Sequence, residues 1–358
     1  MHAALALAYR GLGQVWPNPA VGCVIVADGR VVGRGWTQKG GRPHAETEAL
    51  ARAGAAARGA TVYVSLEPCS HHGKTPPCAE ALIAAGVTRV AAAIEDPDPR
   101  VSGRGLARLR GARIAVETGL CAAEATDLNA GFLSRIATGR PLVTLKLATS
   151  LDARIATAGG ESRWITGPAA RERAHLLRAT HDAVLVGTGT ARADDPQLTC
   201  RLAGLEARSP VRIVLDRDLR LPAGLHLFQT REARSWVAAS AAADPARRAA
   251  LENAGVTLID AEVDATGQVD LRALLRRLGD EGLTRILVEG GGRLAASLLR
   301  AGLVDRLVWM RAPLAIGGDG LPAIAALQLA ALTTAPRFTL VSSELAGGDV
   351  IDTYRHAD

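Results

Sequence analysis

The sequence predicts two successive α/β domains, the first an αβα layer sandwich. Three observations lead there. The chain has 358 residues, 48% of them hydrophobic, so it is long for one domain and can bury two cores. Strand-like runs alternate with helix-like runs along its length, which is the α/β pattern. The alternation restarts after Gly139-Arg140-Pro141, placing a boundary near residue 140 and domains at 1–140 and 141–358.

The first ten residues read as an amphipathic helix, without the basic and apolar regions of a signal peptide. In Trp16-Pro17-Asn18-Pro19 two prolines fix the backbone around Asn18 and aim its amide, although an ordinary Asn-Pro turn has the same residues. Runs 23–27 and 30–34 flank Asp28-Gly29, a strong hairpin signal. A helix is expected over 44–54, a β-branched strand over 61–66, and a helix starting at Pro76-Pro77-Cys78 with proline in its early position. Strand 89–95 leads into Asp96-Pro97-Asp98-Pro99, where Asp96 either caps the turn or faces a ligand. Helix 103–110, strand 113–117 and one connecting helix over 124–138 complete this half.

Chemistry concentrates between Pro43 and Cys78. The stretch holds Pro43-His44-Ala45-Glu46 and then Pro68-Cys69-Ser70-His71-His72-Gly73-Lys74-Thr75-Pro76-Pro77-Cys78. His44, Cys69 and Cys78 form a zinc donor set that leaves the fourth position to water. Two thiolates and a neutral imidazole cancel the ion's charge, yet zinc still lowers its water's pKa to roughly 7. Glu46 can move protons without being a ligand. A structural zinc usually takes four protein ligands and has no need of this glutamate, so the pattern favours catalysis. The expected helix starts at His44 and Cys78 favour ionised side chains. His71 and His72 read as polar loop lining, because three ligands already suffice. The set resembles the signature of the zinc-dependent nucleobase deaminases.

The second half opens with a strand over 142–148 and Thr149-Ser150-Leu151-Asp152-Ala153-Arg154. Helix 168–179 precedes strand 182–187 and Gly187-Thr188-Gly189-Thr190, whose amides suit a phosphate although the run falls short of G-x-G-x-x-G. Runs 211–216, 235–239 and 284–289 read as buried strands. The last enters Gly290-Gly291-Gly292-Arg293-Leu294-Ala295-Ala296-Ser297, either a tight turn or an anion cradle at a helix start. Strands over 305–311, 338–344 and 350–354 finish the sheet. Arg178 and Arg201 suit a ribose phosphate through charge-assisted hydrogen bonds, though any single arginine among 39 is also a candidate surface residue.

Generic deaminase signatures separate their cysteines by two residues, whereas eight lie between Cys69 and Cys78. With this His-His-Gly-Lys-Thr-Pro-Pro insert, the chain resembles the RibD family of bifunctional riboflavin-biosynthesis deaminase/reductases over essentially its whole length. The resemblance implies a cytidine-deaminase-like αβα sandwich in a zinc-dependent deaminase domain. It implies a dihydrofolate-reductase-like α/β fold in an NADPH-dependent reductase domain. The reactions implied are deamination of 2,5-diamino-6-(5-phosphoribosylamino)pyrimidin-4(3H)-one and reduction of the ribosyl chain to 5-amino-6-(5-phosphoribitylamino)uracil. Zn2+ and NADPH are the implied cofactors, with Glu46 catalytic and His44, Cys69 and Cys78 on the metal. Substrate contacts are implied for Asn18, Lys74, Asp96, Ser162, Arg178, Leu198, Arg201 and Glu289. Cofactor contacts are implied for Ala148, Trp164, Thr190, Asp194, Gly291, Gly292, Arg293, Leu294, Ala295, Ala296 and Ser297. The sequence departs from the family pattern at Thr37 and Glu48, where histidine is usual, and at Ala153, where glycine is. The last is a small change unless φ there is positive. No residue of the second half stands out as an acid for the reduction.

Composition limits the partners. The net charge is +6, with a sequence pI near 9.4, but no dense basic run with interleaved aromatics occurs. A phosphorylated small substrate is therefore expected, and nucleic acid is not. No run of about eighteen apolar residues suggests a membrane span. Five cysteines (Cys23, Cys69, Cys78, Cys121, Cys200) without a secretory address suit reduced thiols in the cytoplasm. A homo-oligomer, dimer or tetramer, is expected. A base deaminase carrying a C-terminal binding module is opposed by the eight-residue spacer. A scaffold with structural zinc is opposed by Glu46.

Overall fold

The Asp28-Gly29 turn shows how local chemistry sets the first sheet. Both residues take positive φ, 50° and 72°, the conformation a two-residue hairpin requires. They join β1 (Gly22–Ala27) to β2 (Arg30–Trp36) in antiparallel register. The computed structural model describes residues 1–71 and 76–357. Its chain divides into two compact units, Met1–Arg140 and Pro141–Asp358.

The first unit adds β3 (Thr61–Val64), β4 (Arg89–Ala92) and β5 (Ala115–Thr118), giving the sheet order β2-β1-β3-β4-β5. β3, β4 and β5 run parallel. Its helices are α1 (His2–Ala8), α2 (Ala45–Ala53), α3 (Cys78–Ala84), α4 (Arg104–Gly111), α5 (Ala122–Leu128) and α6 (Ala130–Thr138). Small residues set the close fit of α2 against the hairpin. A Cβ on Gly35 would lie 2.1 Å from the Ala45 carbonyl oxygen, which only glycine permits. The core beneath is aliphatic, with Ile25, Val62, Val64, Leu82, Val90, Leu106 and Leu109 buried.

The single connecting helix expected over 124–138 is instead two, α5 and α6, broken at Asn129. The buried Asn129 amide donates to the Ala20 carbonyl at 3.1 Å, and its oxygen accepts from the Ala20 amide at 3.0 Å. That paired bond holds the backbone at φ −94°, ψ 10°, where the helix is interrupted.

The second unit carries β6 (Leu142–Thr149), β7 (Arg154–Ala156), α7 (Pro168–Thr180), β8 (Ala183–Gly187), α8 (Thr188–Asp194), β9 (Val211–Leu215), α9 (His226–Gln229) and β10 (Ser235–Ala239). After these come α10 (Pro245–Asn253), β11 (Thr257–Asp260), α11 (Leu271–Asp280), β12 (Arg285–Val288), α12 (Gly292–Arg300), β13 (Arg306–Arg311), β14 (Leu321–Pro322), β15 (Phe338–Ala346) and β16 (Asp349–His356). The nine-stranded order is β11-β10-β9-β8-β12-β6-β13-β16-β15, parallel from β11 through β13, with β16 and β15 antiparallel. β7 and β14 form a separate small sheet. The central strands are apolar on both faces, as β8 (Ala-Val-Leu-Val) and β12 (Ile-Leu-Val) require under helices. The turns after β8 and β12 lie side by side, because those two strands are neighbours.

Candidate functional site

In the first unit two helix starts meet. His44 is the N-cap of α2, just outside the first turn in which it was expected. Cys78 is the first residue of α3, with Pro77 as its N-cap, so the proline lies one step before the helix. The Cys78 amide donates to the Cys69 sulfur at 3.4 Å. His44 Nδ1 lies 3.3 Å from Cys78 Sγ and 3.6 Å from Cys69 Sγ. All three donor atoms fall within 4.8 Å of one another, and S/S/N donors so close fit zinc. Cys69 is held low, to about 4, first by the hydrogen bond from Cys78 and then by His44, while that same bond and burial push Cys78 up.

Glu46, 3% exposed, lies in the first turn of α2 beside this set. Burial, with the Cys69 charge behind it, pushes its carboxyl up to about 7. A group so placed exchanges a proton readily near neutrality. The cavity they share, about 250 Å³, is also lined by Asn18 and Asp96. Asn18 is seated against Gly41, where a Cβ would lie 1.9 Å from the Asn18 amide nitrogen. Asp96 caps its own turn by accepting from the Asp98 amide at 2.9 Å, and still faces the cavity. Burial raises its carboxyl to about 6.

Glu67 ties the pieces together. Its buried carboxylate accepts from the amides of Asp96, Gly103, Gly105 and Leu106 at 2.8–3.2 Å. One side chain thus fixes the Cys69 turn, the Asp96 loop and the start of α4. Thr37 also lines the cavity, but its hydroxyl accepts from the Val21 amide at 3.0 Å and is 3% exposed, so here the position serves the backbone. Glu48 pairs with Arg52 on the outer side of α2. Lys74 lies outside the described residues, as does His72. Arg42, Arg100 and Arg135 also line the cavity, and single arginines among 39 carry little signal in the sequence.

In the second unit two cavities share the β8–α8 and β12–α12 turns. The larger, about 900 Å³, is lined by Gly187, Thr188, Gly189, Arg217, Arg293, Leu294 and Ser297. The smaller, about 220 Å³, brings together Ala148, Arg178, Thr190, Asp194, Leu198, Glu289 and Gly291. The glycine-rich run after β8 is no loop; the strand passes directly into α8. At α12 the amides of Gly292 and Arg293 have no carbonyl one turn back, as at any helix start.

The smaller cavity has a charged floor. Arg178 donates through Nε and Nη2 to the two Glu289 oxygens at 2.6 and 3.0 Å, and through Nη1 to the Thr199 carbonyl at 3.0 Å. Lys146 Nζ is 3.7 Å from the same carboxylate. Burial alone would raise Glu289, but Arg178 and Lys146 outweigh it and hold the carboxyl down to about 2. Arg178, expected at a ribose phosphate, lines this cavity with its guanidinium fork on Glu289, so a phosphate there would compete with that carboxylate. Lys146 was missed as a site residue; its scarcity as one of three lysines was the available signal.

Other expected contacts lie apart. Ser162, Trp164 and Arg201 line neither cavity. Trp164 is 66% exposed, with the Arg171 guanidinium 4.5 Å over its ring. Ala295 and Ala296 are buried in the core face of α12, and the Ala295 amide is used by the Gly291 carbonyl. Ala153 has φ 63°, so its replacement of glycine is not the small change expected of a negative φ.

Comparison with known proteins agrees with this geometry. Residues 1–94 match the cytidine and deoxycytidylate deaminase zinc-binding region, and residues 141–351 the RibD C-terminal domain. The riboflavin biosynthesis protein RibD of Escherichia coli (strain K12) is 45% identical, covering 98% of this chain and 96% of its own. That of Aquifex aeolicus is 43% identical, covering 90% and 88%. The chain belongs to the RibD family. Among solved structures, Acinetobacter baumannii RibD superposes with a TM-score of 0.90 at 39% identity, covering 100% of this chain and 98% of its own. A Thermotoga maritima deaminase/reductase gives 0.87 at 35%, covering 100% and 97%. The fold is thus a cytidine-deaminase-like unit followed by a RibD C-terminal, dihydrofolate-reductase-like unit. The RibD-family protein is a bifunctional deaminase and reductase of riboflavin biosynthesis that uses Zn2+ and NADPH. No helix among the described residues is long and apolar enough to cross a membrane.

Proposed function

We propose that residues 1–140 deaminate 2,5-diamino-6-(5-phosphoribosylamino)pyrimidin-4(3H)-one and that residues 141–358 reduce the ribosyl chain of the product to 5-amino-6-(5-phosphoribitylamino)uracil. The His44–Cys69–Cys78 set, with His44 and Cys69 opening beside Glu46 onto one cavity, carries the reading. Zinc, when bound, supplies a water activated at neutral pH. Glu46 takes one proton from that water and passes it to the ring nitrogen as the C–O bond forms. It then takes the second proton from the new hydroxyl and passes it to the amino group, which leaves as ammonia as the C=O bond forms. Asn18 and Asp96 hold the pyrimidine against it from two fixed turns, and Lys74 is the further substrate contact that family membership suggests.

NADPH, when bound, supplies the hydride that reaches ribose C1′. Thr190, Asp194 and the Gly291–Gly292–Arg293 helix start hold the cofactor, and Ser297 lies one turn further on. Glu289, kept ionised by Arg178 and Lys146, accepts donor groups of the substrate beside Leu198. Positioning carries most of the step.

The chain works as a cytoplasmic homo-oligomer on this reading. Its five cysteines are free, which suits a reducing compartment. Strand β15 is a nine-residue sheet edge with Leu340, Val341 and Leu345 exposed, the kind of surface a second copy covers. Sedimentation of Val341→Lys/Leu345→Lys should show a smaller species than wild type; an unchanged species would remove β15 from the interface.

The test of function follows ammonia and NADPH absorbance together on the diaminopyrimidine phosphate. Glu46→Gln should retain zinc, lose about 10²–10⁴-fold in ammonia release, and still oxidise NADPH with the deaminated compound. Full ammonia release by this variant would end the assignment of Glu46.

A further inference from the structure

A second cluster of metal-ligand side chains lies outside both sites. His2 begins α1, Cys121 precedes α5, and Glu124 lies in the first turn of α5. Their donor atoms all fall within 4.8 Å of one another. The Cys121 sulfur is 3.7 Å from His2 Nε2 and 3.8 Å from Nδ1, close to the 3.6 Å between His44 and Cys69 in the deaminase set. None of the three lines the deaminase cavity.

Two further features single the cluster out. Cys121 holds φ 58°, ψ 39°, a left-handed conformation that glycine adopts freely and cysteine does not. That backbone turns the thiol toward His2. Beneath it, α1 and α5 share a packed apolar core of Leu5, Ala8, Ala125 and Leu128, which holds the two carriers in place.

We propose that His2, Cys121 and Glu124 form a second, exchangeable site for a borderline divalent cation, zinc foremost, on the surface of the first unit. A thiolate and a carboxylate cancel the charge of such an ion, and imidazole completes a set that selects zinc, cobalt or nickel over magnesium and calcium. The fourth position falls to solvent, because the cluster is at the surface. The ion clips chain positions 119 residues apart, so it stabilises the α1–α5 contact by closing a long loop.

Zinc titration of the full chain against a chromophoric chelator tests this, with Cys121→Ser and His2→Ala as variants. Wild type should take up one more zinc equivalent than either variant, and at unchanged ammonia release. Cobalt should give a thiolate charge-transfer band for that extra equivalent, absent in Cys121→Ser. Added zinc should raise the melting temperature of wild type by more than that of the variants, which keep only the His44 set. Equal uptake by all three proteins would overturn the site. The comparison is a difference between proteins sharing one His44 set, so a failure of the deaminase assignment would alter all three alike.

Discussion

Ala153 illustrates how one dihedral changes the meaning of a substitution. Its amide donates to the Ser150 carbonyl at 3.2 Å, and its carbonyl accepts from Ala323 at 3.0 Å, so the turn is held from both sides. Asp152 reinforces it by accepting from the Ser150 hydroxyl at 2.6 Å and from the amides of Ile316 and Gly317. Within that clamp Ala153 must keep φ at 63°. Left-handed backbone costs an L-residue roughly 1–2 kcal/mol, of which a glycine returns part as greater unfolded-state entropy. Ala153→Gly is therefore expected to stabilise the second unit by about 0.5–1 kcal/mol, read as a higher urea midpoint with unchanged slope. A lower midpoint would show that the turn is not strained.

At the scale of elements, His181 fastens the end of α7 to β6. Its Nδ1 donates to the Leu177 carbonyl at 2.7 Å, and its Nε2 accepts from the Thr144 hydroxyl at 2.9 Å. The neutral ring satisfies both nitrogens in this way. Burial, then the Arg285 charge, lowers its pKa to about 3 from 6.5. The unfolded chain therefore binds the proton first as pH falls, and this stabilisation, complete above 6.5, is lost towards 3. Between pH 6.5 and 4.5 the loss is about 2 kcal/mol, and His181→Asn should flatten it. Asp182, raised by burial, acts in the opposite sense but in both proteins, so it cancels from the difference. Parallel pH profiles of the melting temperature would contradict the linkage. Elements of this kind were legible where their causes are local. The Asp28-Gly29 hairpin and the start of α3 beside Pro77 follow from neighbouring residues, whereas His44, Cys69 and Cys78 were read as a donor set by residue type and order, and they meet across 25 and 34 residues. The break between α5 and α6 was not legible, because it depends on Ala20, 109 residues from Asn129. The occupied fork of Arg178 was hidden for the same reason, its partner Glu289 lying 111 residues on. Strand β11, with one buried residue in four, offered no alternation to read.

On the scale of the molecule, each unit buries its own core and holds its own chemistry. The first carries Val62, Leu82 and Leu106 at its centre, and the second Leu185, Ile213 and Leu287. The donor set proposed for zinc, His44, Cys69 and Cys78, belongs to the first unit, whereas every residue lining the 900 Å³ and 220 Å³ cavities belongs to the second. Metal binding at that set therefore adds stability to the first unit by mass action. Chelation should stop ammonia release, lower the melting transition of the first unit, and leave NADPH oxidation of the deaminated compound at its starting rate. Zinc should restore the first two readings together. Calorimetry on the full chain would then show one transition moving with zinc and one fixed. A reductase rate that falls in step with zinc loss would mean that folding or catalysis in the second unit depends on the first, and would refute independent units.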